Sequence, residues 1–287
     1  MDKKAKTNRP GKLIGGFFMN LVLWIFSLSC IFPLVWMLYS SFKEKRAFNA
    51  DIIGLPKSPT LINYIRILTN KDYHLGESMW NSVRTTVLSI VLIVLFSYVV
   101  GYILARVRFK LNRVLYAMFL MGMLIPVHSL LVPIYVVFRN CGLSNRWFTL
   151  LLPYISFGLP MGIFLVEGYV KGIPVSLEEA AAIDGAGAVT QFFKITIPML
   201  TPTVFFVMIT SIISGFQVFD TVYMMVGKAN PAYESTQTVV MLFYRQAFDY
   251  GHKGYAAAIS ILIFLAIMLV TVIQMIGQKK WVNYDYE

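Results

Sequence analysis

Apolar residues in this chain fall into long unbroken blocks, not into the alternating or three-to-four-residue rhythm of soluble strands and helices. Six blocks, Leu13–Phe42, Val83–Ala105, Val114–Phe138, Trp147–Tyr169, Met199–Tyr223 and Ala256–Gly277, come to roughly the 20 residues that a helix needs to cross a bilayer. They predict an all-α membrane protein with six transmembrane helices. The first block is long enough to tilt or to project from the bilayer. Pro126 and Pro133 fall inside the third block, Pro153 and Pro160 inside the fourth. Neighbouring helices can satisfy the carbonyls that such prolines free, so packing kinks are expected. A broken helix lining a pathway is the sharper alternative.

Composition agrees: 57% of the 287 residues are hydrophobic and only 14% are charged, against roughly 25% charged in soluble domains. The net charge of +11 does not point to nucleic acid, because the basic residues lie between apolar blocks and not on a soluble basic face. They read as topology signals instead. Lys3, Lys4, Lys6, Arg9 and Lys12 precede the first block, Arg106, Arg108, Lys110 and Arg113 crowd the link after the second, and Lys279 and Lys280 follow the last. By the positive-inside rule these segments share the cytoplasmic side, so both termini are cytoplasmic and segment 170–198 faces the cytoplasm. The expected organisation is a tail at 1–12, a six-span membrane domain at 13–277 and a second tail at 278–287. The apolar stretch behind the basic N-terminus is too long for a signal-peptide core, so it is expected to stay as an anchor. Trp80, Trp147, Trp281 and Tyr284 sit near block ends, as interfacial anchors do. Cys30 lies in an apolar block and is expected to be buried, and Cys141 lies in a short loop. Neither a disulfide nor a metal site is expected.

Segment 170–198, YVKGIPVSLEEAAAIDGAGAVTQFFKITIP, is too long for a simple turn and too polar to span. Ser176 followed three residues later by Glu179 reads as a capping box, with Glu178 and Glu179 at the positive end of a short helix. Ala180, Ala181 and Ala182 continue it, and Asp184-Gly185 signals a turn. A second short helix, about Val189 to Ile195, leads to Pro198. Helices this short are marginal alone. Either this one packs against a partner, with its alanine face allowing close approach, or it is an ordinary loop helix docked on its own bundle.

Glu179-Ala180-Ala181, Gly185, Ile195 and Pro198 stand at the spacing EAA-x3-G-x9-I-x-x-P. This resembles the signature of ABC importer permeases, here with Ile197 where the family often has Leu. The resemblance implies that the segment is a coupling helix seated in a groove of a separate ATPase subunit. Glu179 would face a basic ATPase residue, Ala180 and Ala181 would pack in the groove, Gly185 would allow the turn, and Ile195 and Pro198 would fix the return to the membrane. Glu178 and Asp184 belong to the same expected surface. Phe32-Pro33-Leu34-Val35-Trp36-Met37, Asn81-Ser82 and Gly254-Tyr255-Ala256-Ala257-Ala258 are similar to the carbohydrate uptake type 1 branch, which includes maltose and glycerol-phosphate importers. Implied partners are a second permease subunit, a cytoplasmic ATPase dimer using ATP and Mg2+, and an extracytoplasmic solute-binding protein. No cofactor is expected on this chain.

Polar groups inside spans are costly and usually face the interior. Gln217 and Asp220 among Phe216, Phe219 and Tyr223 suit a sugar path, with amide and carboxylate for hydroxyls and aromatic faces for the ring. Alternatively Asp220 is solvated at the external interface and Gln217 makes an interhelical hydrogen bond. His128 is expected to be a satisfied packing residue, and Glu167 to reach towards solvent. The chain has no G-x-x-x-x-G-K-[ST] loop, so ATP hydrolysis is expected elsewhere. Neither the motifs of a membrane enzyme nor the internal repeats of an ion-coupled carrier are evident, though a self-sufficient carrier stays the rival class. A sugar or oligosaccharide is the expected cargo, a glycerol-phosphate-like solute the alternative.

Overall fold

The computed structural model describes residues 10–70, 74–144, 146–227 and 230–283, with side chains from residue 15 onward. Tyr284 and the N-terminal residues before Pro10 lie outside them. All regular structure among the described residues is helical. Four helices are long and apolar enough to cross a membrane: Gly15–Ser40, Leu75–Arg106, Trp147–Gly172 and Lys253–Lys280. Two bent pairs bring the number of spans to six if each counts as one. By internal packing the chain divides into two units, Met1–Thr69 with Gln246–Ile261, and Asn70–Arg245 with Leu262–Glu287.

In the first unit, α1 (Pro10–Ser40) is followed by α2 (Lys45–Ala50) and α3 (Ile62–Thr69). No residue in the most apolar window of α1 is buried, and Cys30, expected inside, is exposed. A span facing lipid or another chain needs no cover from its own. Lys43 is the reverse case, a cation only 1% exposed. Its Nζ donates to the Asp51 carbonyl at 2.8 Å and lies 5.5 and 5.8 Å from the Tyr39 and Phe48 ring centres, which offsets the desolvation of the ammonium. Asn63 Nδ2 closes the same turn by donating to the Ser41 and Lys43 carbonyls. Gly254 presses on it so closely that a Cβ there would stand 2.3 Å from the Lys43 oxygen.

In the second unit, α4 (Leu75–Arg106) packs lengthwise on α7 (Leu151–Gly172). Small residues permit the approach: a Cβ on Gly162 would meet Ser97 Oγ at 2.2 Å, and one on Gly101 would meet Val166 Cγ1 at 2.7 Å. Without a hydrophobic force between helices in lipid, such close packing is a main source of association. The third expected span, Val114–Phe138, is not one helix. It is α5 (Asn112–Leu124) and α6 (Val127–Asn140), bent by 105°. Pro126 forces this: the preceding Ile125 is pushed to extended backbone, ψ 122°, which ends α5. Pro160, by contrast, is absorbed inside α7.

The fifth expected span, Met199–Tyr223, is also broken. After α8 (Val175–Ile183), the chain forms α9 (Ala188–Gln191), a π-turn at Phe192–Thr196 and α10 (Ile197–Met199), then bends by 65° into α11 (Thr201–Phe216). Gln217–Phe219 interrupt the helix before α12 (Asp220–Met225). Segment 230–244 folds into α13 (Tyr233–Thr236) and α14 (Val239–Tyr244) on the start of α4. There Asn81 donates to the Glu234 and Gln237 carbonyls, Arg84 to the Ser235 carbonyl, and the Val239 N–H donates to Ser82 Oγ. The last helix is α15 (Lys253–Gly277).

Candidate functional site

The loop between α7 and α11 starts where Pro174 stops α7. Ile173 and Pro174 are extended, ψ 124° and 126°, and α8 begins directly after them. Pro174, not Ser176, is the N-cap, and no side chain caps the helix. The expected capping box is therefore absent, because the helix starts one residue before Ser176 and places it in the first turn. The far end is a Schellman closure: the Ala186 N–H donates to the Ala181 carbonyl at 2.8 Å and the Gly185 N–H to the Ala182 carbonyl at 3.0 Å. It places Gly185 at φ +83°, a conformation that costs L side chains energy. Asp184 is the C-cap and is exposed.

The two adjacent carboxylates diverge. Glu179 is exposed, as are Ala180 and the apolar residues Leu177, Ile183 (87%), Val189 and Phe193. Glu178 turns inward, so it does not share the open surface expected of it. Its Oε1 accepts from Arg106 Nε at 2.9 Å, with both side chains 12% exposed, and Arg106 Nη2 also donates to the Ile173 carbonyl at 2.8 Å. Beyond the turn, Phe192 meets Tyr102 edge-on at 5.0 Å. Ile195 lies in the π-turn and is half-buried. Pro198 starts the return, and its carbonyl accepts from Thr201 Oγ1. Glu167, expected to reach solvent, is 3% exposed and pairs with Lys171.

A cavity of about 450 Å³ lies within the second unit, with Thr86, Ser89, Tyr154, Ser211, Gln217 and Asp220 on its wall. The break at Gln217–Phe219 forms one side. Irregular backbone at membrane depth is tolerated where it lines a cavity. Of the four expected path residues, the structure brings Gln217 and Asp220 to this wall. Phe216 is buried, and Tyr223 stacks outside the cavity with Phe219 and Tyr244 at 5.2 Å each. Phe219 also reaches the wall. His128 is not a packed residue: its ring is exposed and its Nδ1 stands 3.7 Å from Asp220 Oδ2. Thr86, Ser89 and Ser211, the hydroxyls that sequence reasoning passed over, look unremarkable in helices and are marked only by the topology that gathers them.

An all-helical membrane chain with an apolar-tipped loop, and with a mainly apolar cavity that carries hydroxyl, amide and carboxyl groups, is the architecture of a transporter membrane subunit. The chain matches the family described as binding-protein-dependent transport system inner membrane component over residues 97–282, and it belongs to that family. It is 34% identical over 192 residues, 66% of this chain and 68% of the relative, to the multiple sugar-binding transport system permease protein MsmG of Streptococcus mutans. It is 38% identical over 186 residues, 65% of this chain and 66% of the relative, to a probable starch degradation products permease, AmyC, of Thermoanaerobacterium thermosulfurigenes. Over 72% of each chain it is 30% identical to the trehalose/maltose permease MalG of Thermococcus litoralis. In these alignments the chain spans about two thirds of its relatives' length. In fold it is similar to a chain of a bacterial ABC transporter involved in import of the acidic polysaccharide alginate, with TM-score 0.75, 21% identity, and coverage of 98% of this chain and 100% of that one. It is thus a multi-pass, non-catalytic permease subunit of the bacterial inner membrane.

Proposed function

We propose that this chain is one half of the membrane pathway of an ATP-driven importer of sugars or oligosaccharides, with loop 170–198 seated on a separate ATPase that consumes ATP and Mg2+. The observation that carries the seat is the surface of that loop: Glu179, Ile183, Val189 and Phe193 stand exposed on a short helix pair between two membrane helices. Apolar side chains on a polar loop are costly in water unless a partner covers them. Ala180 and Ala181 let a partner backbone approach, and Asp184 and Gly185 shape the tip. Ile195 and Pro198 set the return. Both termini and this loop lie in the cytoplasm, a reading that the placement of the basic residues supports. The uncovered α1 supports a second permease subunit, and the family supports an extracytoplasmic solute-binding protein. The relatives named for sugars support the cargo class, and a mainly apolar cavity that carries hydroxyls together with Gln217, Asp220 and Phe219 is suited to it.

Co-purification from native membranes through a tag on this chain tests the reading. Recovery of an ATPase, a second permease chain and a solute-binding protein is expected. Glu179→Ala should weaken the ATPase contact by about 2–5 kcal/mol. Isolation of this chain alone in mild detergent would refute the assembly.

A further inference from the structure

The loop is fastened not only to the helices that flank it in sequence. Between α7 and α8 the chain passes through Ile173 and Pro174, both extended, which is where a hinge would form. Arg106, the last residue of α4, spans that hinge. Its Nη2 holds the Ile173 carbonyl on one side and its Nε holds Glu178 on the other. The second arm of the loop is held by α4 as well, through Phe192 against Tyr102 at 5.0 Å and Tyr98 at 6.5 Å. Above these grips, Gly101 and Gly162 lock α4 to α7. Unlike the bent pairs, α4 runs unbroken and without proline from Leu75 to Arg106, and Thr86, Ser89 and Ile93 on it form cavity wall. The 20 residue steps from Thr86 to Arg106 span about 30 Å of helix.

We propose that Arg106 is a positioning residue that braces the Ile173–Pro174 hinge, so that loop, α4 and α7 move as one body. A displacement imposed at the loop is then delivered undiminished to the cavity wall at Thr86–Ser89–Ile93. Without the brace, α8 swings on the hinge and the displacement is absorbed there. The inference rests on the reading of the loop as the ATPase seat.

The test uses the assembled complex. Binding of the ATPase to the unaltered chain is measured first, and failure there refutes the seat, not the brace. With the seat established, Arg106→Met and Glu178→Leu are expected to keep the ATPase bound and hydrolysing while solute uptake falls about tenfold or more, uncoupling the two. A merely structural role would lower both together. Arg106→Cys with Glu178→Cys, made in a Cys30→Ser, Cys141→Ser background, is then bridged by a short, reducible bis-methanethiosulfonate. Bridging should restore uptake and reductant should remove it again. Uptake unchanged in Arg106→Met, or uptake abolished by the bridge, would overturn the proposal, since the second result means that the loop must part from α4 during transport.

Discussion

Gly185→Val isolates the turn that shapes the loop tip. No atom lies within 4 Å of the position a Cβ would take, so the substitution meets no steric obstacle inside the chain. Its whole cost lies in the backbone, because φ is +83°. Holding a side-chain-bearing residue in the left-handed region costs roughly 1–2 kcal/mol, and a β-branched one is at the upper end. Escaping that cost means giving up the Schellman bonds from Ala186 to Ala181 and from Gly185 to Ala182, which unravels the last turn of α8 and turns Ile183 away from its place. A penalty of that size corresponds to about a 5- to 30-fold fall in the population of the competent tip. The same factor should appear in the affinity of the solubilised complex for its purified ATPase and in uptake by reconstituted vesicles. Gly185→Asn serves as the control, because asparagine tolerates the left-handed region, and it should fall within a few-fold of the unaltered chain. Val as good as Gly would refute the argument, and so would Asn as harmful as Val, since the damage would then come from bulk against the partner and not from backbone conformation.

Asp220→Asn keeps the size and hydrogen-bonding reach of the side chain but removes the charge beside His128. Lower uptake with unchanged ATPase binding is expected, and unaltered uptake would take Asp220 out of the path. Gly162→Leu drives a side chain into Ser97 and should cost about 1–3 kcal/mol of helix packing, seen as a lower melting temperature in detergent. His252 has its pKa pushed below the usual histidine value by burial and then by the Lys45 charge. Its neutral form is favoured when folded, so the stability it lends is intact above about pH 6.5 and is lost as the pH falls below that. Hydrogen exchange across Gln246–Ile261 should therefore rise between pH 7 and pH 5, and a His252→Gln variant should show no such rise.

Block length revealed the membrane class and the approximate position of the four long apolar helices, since apolar length is a one-dimensional property. It did not reveal where spans break. The Pro126 and Pro160 positions look alike in sequence, but only the first splits a helix, whereas Pro160 is absorbed within α7. The signature at 179–198 located the loop and its turn glycine. It could not separate Glu178 from Glu179, because the direction of each depends on Arg106, more than 70 residues earlier. The same holds for the cavity: Gln217 and Asp220 stood out as polar groups in an apolar block, whereas Thr86 and Ser89 acquire meaning only when α4 and α11 come together. His128 was misread as packed because a lone histidine beside a proline gives no sign of a carboxylate arriving from another helix.

The seat of segment 230–244 on α4 has a consequence for how such a chain can change over generations. Asn81 and Arg84 address main-chain carbonyls at Glu234, Ser235 and Gln237, and Ser82 accepts a main-chain N–H at Val239. Those groups are present whatever side chains the segment carries. Mutations can rewrite the outward surface of the segment, residue by residue, without loosening it from the helix beneath. A surface free to drift on a fixed mount lets one side of a membrane scaffold be rewritten while the side that holds it together stays as it is.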